Sequence, residues 1–125
     1  MKRIFLAATA ATLLTAAPAF AGDDLMANYL GNTVVSTGGM TESHTHYKAD
    51  HSFDLVGSMM GMSKTFSGTW EIKGGQLCRT YVGEQPPGLP SNPFCTPWEA
   101  HKVGDTWTMS MGGNTRNVTL KAGIQ

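Results

Sequence analysis

The chain has 125 residues, only 14% of them charged, and its formal net charge is zero. A chain of this length supports one small domain, and the near-neutral balance argues against nucleic acid or an anionic membrane surface as a partner. Fifteen glycines, all beyond residue 21, speak against a helical bundle.

Residues 1–21 read as a secretory signal peptide. Lys2 and Arg3 give a short positive start, and Ile4 to Ala17 is apolar or small apart from three threonines. Pro18 breaks any helix, and Ala19-Phe20-Ala21 fits a small-x-small cleavage site. The apolar run is shorter than the ~20 residues a membrane span requires, so no span is expected. No cysteine stands at the cleavage point to carry a lipid. The expected location is the periplasm, with secretion beyond it as the alternative. Residues 22–125 are then a single β-barrel-like domain, with seven basic against nine acidic residues. Cys78 and Cys95 are the only cysteines, and an oxidising compartment would join them as a disulfide. The bridge would close a loop of about 17 residues, worth roughly 3 kcal/mol in the chain-entropy account.

Asp23 to Gly31 reads as one short helix with Leu25, Met26, Tyr29 and Leu30 on its apolar face. Beyond it the hydrophobic period is two. Strands are expected over Thr33–Thr37, Thr41–Lys48 and Ser52–Ser58. Thr65–Lys73 alternates Phe66, Gly68, Trp70 and Ile72 against Thr65, Ser67, Thr69 and Glu71. Gly74-Gly75 is a two-residue hairpin turn that sets Ile72 opposite Leu77 and Trp70 opposite Arg79. Gln76–Val82 is the returning strand. A proline-rich loop over residues 83–94 follows, then strands over Trp98–Val103, Thr106–Met111 and Arg116–Lys121. About eight short strands at this spacing indicate an all-β fold, an antiparallel up-and-down barrel or half-barrel.

One hairpin register decides which residues share a face. If Ala49-Asp50 is a two-residue turn, His46 faces Phe53 and His44 faces Leu55. If a type I turn plus bulge forms, with His51 at positive φ, Lys48 pairs with Ser52, His46 faces Asp54 and His44 faces Val56. The second register buries Tyr47, Phe53 and Leu55 together and is the one expected. A one-residue slip would exchange the faces completely.

Three stretches carry a resemblance: Tyr47-Lys48-Ala49-Asp50-His51-Ser52-Phe53, Gly68-Thr69-Trp70-Glu71-Ile72, and Leu77-Cys78. Together they resemble small exported lipocalin-like proteins of bacteria, which carry Y-x-x-D-G-[ST]-F, then G-x-W, then a strand with L-C. His51 stands where that pattern has glycine. The resemblance implies a calycin-type barrel, and it implies the fold more than any activity.

Three functional classes follow from the residues. The first is a binding protein for a small hydrophobic or amphipathic molecule. An eight-stranded barrel can hold one small ligand, and its lining would be Phe53, Phe66, Trp70, Arg79, Tyr81, Trp107 and Met109. Arg79 could hold a carboxylate or phenolate in bidentate fashion. The simpler reading places it at the rim, snorkelling to water over Trp70. The second class is a copper or other soft-metal protein. His44/His46 and Met60/Met62 are i,i+2 pairs that point to one face of a strand, thioethers suit Cu(I), and imidazole suits copper and zinc. The third is a cofactor-free lyase or isomerase using His44, His46, His51, His101, Asp54 or Tyr47, although no catalytic motif orders these groups. The stiff 83–94 loop, with Pro86, Pro87, Pro90 and Pro93, could also meet a protein partner.

Overall fold

A computed structural model describes residues 22–111 and 113–125; the expected signal peptide, residues 1–21, lies outside them. Eight strands follow a short N-terminal 3-10 helix, η1, over Gly22–Met26. They are β1 Thr33–Gly38, β2 Thr41–Tyr47, β3 Ser52–Met59, β4 Met62–Lys73, β5 Gln76–Val82, β6 Phe94–Pro97, β7 Thr106–Met111 and β8 Asn114–Lys121. All pair antiparallel in one sheet, in the order β6-β5-β4-β3-β2-β1-β8-β7. The sheet curls into a half-barrel, with β6 and β7 as its two free edges. The first six strands run up and down. The chain then crosses from the β6 edge to the far side, where the β7–β8 hairpin attaches to β1.

The strands form where polar and apolar residues alternate. In β4, Phe66, Gly68 and Trp70 are buried while Thr65, Ser67 and Thr69 are exposed, as a half-buried strand requires. The same holds in β5 for Leu77, Arg79 and Tyr81. Gly74 and Gly75 both take positive φ between the paired residues Lys73 and Gln76, the geometry that a type I′ hairpin turn demands. The inner face is filled with side chains. Phe53 and Tyr81 meet edge to face with ring centroids 5.2 Å apart, and Tyr47 lies 6.0 Å from both Phe53 and Trp98. Leu25, Met26 and Tyr29 are buried, so the N-terminal segment seats the expected apolar residues. Its regular part is a five-residue 3-10 turn rather than a helix running to Gly31.

The β2–β3 hairpin has the bulged register. Lys48 N donates to Ser52 O at 2.9 Å and His51 N donates to Lys48 O at 3.1 Å. Tyr47 pairs with Phe53, His46 with Asp54 and His44 with Val56. His51 sits at φ 70°, a conformation that most side chains avoid. Its ring stacks on Trp70 at 4.1 Å and 13°, and its Nε2 lies 2.7 Å from Asp23 Oδ2. The bond to Asp23 raises the His51 pKa above the ordinary imidazole value, against a smaller opposing effect of burial. A histidine raised on folding stabilises fully below its unfolded pKa, and that contribution fades as pH rises through the folded one. We therefore expect an NMR titration to place His51 above an unstructured histidine. Asp23→Asn should bring it back, and an unchanged His51 titration in that variant would remove Asp23 as the cause.

One expected strand is absent. Residues 98–103 pair with no strand, and the strand before them is Phe94–Pro97. Cys95 lies directly opposite Cys78, and the two form the expected disulfide. The bridge thus sets the edge strand at 94–97. The following residues must leave the sheet to reach its other edge. Trp98 N still donates to Gly75 O at 3.0 Å, and Lys102 N bonds the Asp105 carboxylate at 2.9 Å.

Candidate functional site: the seam of the half-barrel

Curling brings the two free edges towards each other without pairing them. Between them lies a cleft of about 340 Å³, near the lower end of the ~300–1,000 Å³ range of small-molecule sites. Thr96, Pro97 and Trp98 form one wall, and Trp107, Thr108, Met109 and Ser110 form the other. Tyr29, Glu99 and His101 come from the segments that cross the opening. These segments are tied down by Tyr29 Oη donating to Glu99 O at 2.6 Å and Asn28 Nδ2 donating to His101 O at 2.9 Å. His101 stacks on Trp107 at 3.6 Å and 5°. Burial raises the Tyr29 pKa, with nearby acidic groups adding to the effect, so Tyr29 remains a neutral donor already committed to Glu99.

The expected lining residues divide into two sets. Trp107 and Met109 line the cleft. Phe53, Phe66, Trp70 and Tyr81 are buried in the core instead, because they pack against one another across the inner face. Trp70 is fully engaged: its Nε1 donates to Lys48 O at 2.9 Å and its face is covered by His51.

Arg79 departs from the rim reading. It is only 8% exposed, with its guanidinium 5.8 Å from the centre of the Phe94 ring rather than spread over Trp70. Its Nε has no hydrogen-bond partner, and no ion pair among the described residues involves it. Burial disfavours its charge. The Tyr47 and Tyr81 hydroxyls outweigh that effect and hold its pKa above the ordinary arginine value. Burial in turn raises the pKa of Tyr47, with Arg79 opposing, so Tyr47 is a neutral phenol near pH 7 and not a counter-ion. The result is a buried cation with no anion beside it. A buried cation without a counter-ion carries an uncompensated desolvation cost of roughly several kcal/mol, which an unbranched apolar side chain removes. Arg79→Met should therefore raise the thermal midpoint by several degrees, read by differential scanning calorimetry. A lowered midpoint would mean that its hydroxyl and ring contacts outweigh the desolvation.

The candidate metal ligands do not gather at one point. His46 is buried, with Nδ1 2.6 Å from Asp54 Oδ1 and Nε2 3.0 Å from the Gln125 backbone oxygen. His44 Nδ1 lies 3.3 Å from that same oxygen. Met60 and Met62 lie at the β3–β4 turn, several residue pairs along the sheet from His46. There Met40, Met59 and Met60 line an open depression of about 420 Å³, and Met62 is the cross-strand partner of Met59. Among the described residues, no group of three or more His, Cys, Asp or Glu side chains is arranged to hold a metal ion. The acid–base groups are also dispersed: His46, His51 and His101 pair with Asp54, Asp23 and Asp105 at three separate places.

The proline-rich loop is mostly exposed and is anchored at its end. The Asn92 side chain accepts from Tyr81 N at 2.9 Å and donates to Tyr81 O at 3.1 Å, taking the place of a strand residue beside β5. No helix among the described residues is long and apolar enough to cross a membrane.

Sequence reasoning missed Tyr29, Thr96, Trp98 and His101 as cleft residues. The one available signal was the cysteine pair, which places Thr96 and Trp98 at a sheet edge. Comparison of the chain with protein-family models, curated proteins and solved structures finds no match.

Proposed function

We propose that the protein binds a small amphipathic molecule in the seam, and that it does so as an exported binding protein. The observation that carries this reading is a pair of unused buried polar atoms belonging to residues of a cleft whose lining includes Tyr29, Trp98 and Trp107. Thr96 Oγ1 and Trp98 Nε1 are buried, lie in residues that line the cleft and have no partner. Buried polar groups are normally paired, and convergent polar atoms on an apolar wall are how such sites orient a ligand. The resemblance to exported lipocalin-like proteins agrees with the reading, and so does the disulfide. The neutral dye N-phenyl-1-naphthylamine should gain fluorescence on adding the protein. Met109→Arg should abolish the gain without altering the circular dichroism, while Lys121→Ala should leave it intact. Equal dye binding by Met109→Arg would place the site elsewhere.

A second reading, soft-metal binding, has its own supporting observation. Met40, Met59, Met60 and Met62 are 54–77% exposed, although methionine is ordinarily a buried residue. Met60 even holds φ 52°, where a hairpin turn favours glycine or asparagine. Exposed thioethers on two adjacent hairpin tips offer soft donors for Cu(I), or for Ag(I) as its redox-inert stand-in. On this reading the ligands are Met40, Met59 and Met60, with Met62 beside them, and His44 and His46 take no part. Native mass spectrometry with Ag(I) should show one bound ion. The ion should be lost in Met40→Leu/Met59→Leu/Met60→Leu and kept in His44→Ala/His46→Ala. The reverse pattern would return the site to the histidine face.

A further inference from the structure

One end of the sheet presents a set of thioethers to water. Met40 lies in the turn between β1 and β2, whose flanking pair is Gly38 and Thr41. Met60 lies in the turn between β3 and β4, whose flanking pair is Met59 and Met62. Thr41 is also the cross-strand partner of Met59, so the two hairpin tips stand side by side. Met40, Met60 and Met62 are 70%, 77% and 77% exposed and Met59 is 54% exposed, whereas Met26 is fully buried. Met26 is part of the core cluster; none of the four tip methionines belongs to it or packs against it. The core therefore does not call for methionine at these positions.

An exposed thioether offers two-electron chemistry as well as metal ligation. Its sulfur lone pair attacks the terminal oxygen of a hydroperoxide. An S–O bond forms and the O–O bond breaks, so the sulfur is oxidised and the peroxide reduced. The proton on the transferred oxygen passes to the departing oxygen, which leaves as water or an alcohol. The product sulfoxide is polar and disrupts packing when it forms in a core. At the hairpin tips the new oxygen faces water instead. A thiolate would compete for the oxidant, but Cys78 and Cys95 are the only cysteines and are joined to each other. The sulfoxide oxygen is a hard donor where the thioether was a soft one, so conversion removes what suits the site to Cu(I) or Ag(I).

We infer that Met40, Met59, Met60 and Met62 form a site of oxidative modification, where a hydroperoxide converts thioethers to sulfoxides and ends soft-metal binding while the fold stays intact. The metal half of this inference rests on the reading of the tips as a soft-metal site, and the experiment separates the two. The folded protein is incubated with excess hydrogen peroxide at neutral pH and followed by peptide mass spectrometry, with Met26 as the internal standard. Each of the four should gain one oxygen about tenfold or more faster than Met26, as exposure dictates. Near-ultraviolet circular dichroism should be unchanged when all four are converted. Native mass spectrometry should show an Ag(I) ion on the untreated protein and none on the oxidised one. Met40→Leu/Met59→Leu/Met60→Leu/Met62→Leu should lose the fast phase of peroxide consumption and keep the slow oxidation of Met26. The wild-type time course decides the matter even if that variant does not fold. Conversion of the four at the rate of Met26, or loss of the near-ultraviolet signal as they convert, overturns the modification site. Silver held equally by the untreated and oxidised protein overturns the metal half. Absence of bound silver before oxidation overturns the soft-metal reading itself and leaves the modification site to the oxidation kinetics.

Discussion

Gly68→Ala should destabilise the domain by about 4 kcal/mol, a large share of the roughly 5–15 kcal/mol that holds a domain of this size together. A methyl group at residue 68 would lie 1.9 Å from the Thr80 carbonyl oxygen, 2.8 Å from its carbon and 2.9 Å from Tyr81 Cα. These are backbone atoms of β5, so no rotamer change relieves the clash. Gly68 pairs with Phe53 on one side and Tyr81 on the other, and those two rings meet edge to face. The missing side chain is the space over which they close. To admit a methyl, β4 and β5 must separate or the aromatic pair must break, and overpacking of this kind costs more than deleting an exposed contact. Gly57→Ala is the matched control. It also lies in a strand, but its new methyl would meet nothing nearer than 3.8 Å. It should be neutral or stabilising, because glycine is the costlier residue in a strand interior. Urea midpoints for the two variants decide the matter. Similar shifts in both would mean that strand propensity, not the β4–β5 approach, sets the cost.

How legible these features were depended on how local they were. The period-two alternation of β4 and β5 is local, and so is the Gly74-Gly75 turn. The β2–β3 register followed from requiring Tyr47, Phe53 and Leu55 to share a buried face, and the residue pairs agree with it. The strand expected at 98–103 failed because Trp98 invited a strand where the chain is leaving the sheet. The Cys78–Cys95 bridge held the better signal. A disulfide between two strands places them side by side, which puts β6 at 94–97. The seam could not be read at all, since it joins residues 96–98 to 107–110 through the curl of eight strands. For Arg79 the face was readable from Leu77 and Tyr81, but its depth depends on Phe94 and Tyr47 arriving from other strands. The His44/His46 pair does point to one face, as i,i+2 spacing implies. What it meets there is Gln125, brought back by the last residues of the chain.

Removing the disulfide should both destabilise the fold and open the seam, and the second effect should appear before the first is complete. The bridge closes a sequence separation of 17 residues, worth about 3 kcal/mol in the chain-entropy account, so Cys78→Ala with Cys95→Ala should lose about that much in urea unfolding. The local consequence follows from topology. β6 has four residues, pairs only with β5, and leaves its other edge free. A strand so short and one-sided is marginal without a covalent tie. Thr96 belongs to it and Trp98 comes directly after it, so loss of β6 removes one wall of the cleft while the sheet from β5 to β7 stands. Amide hydrogen exchange at residues 94–96 should therefore accelerate in the variant far more than exchange in β3 or β4, under conditions where circular dichroism is unchanged. Binding of N-phenyl-1-naphthylamine should fall in step with that local opening. If the amides of residues 94–96 stay as protected as in the wild type while global stability drops, the bridge acts only on the unfolded chain and β6 is held by packing of Thr96 and Trp98.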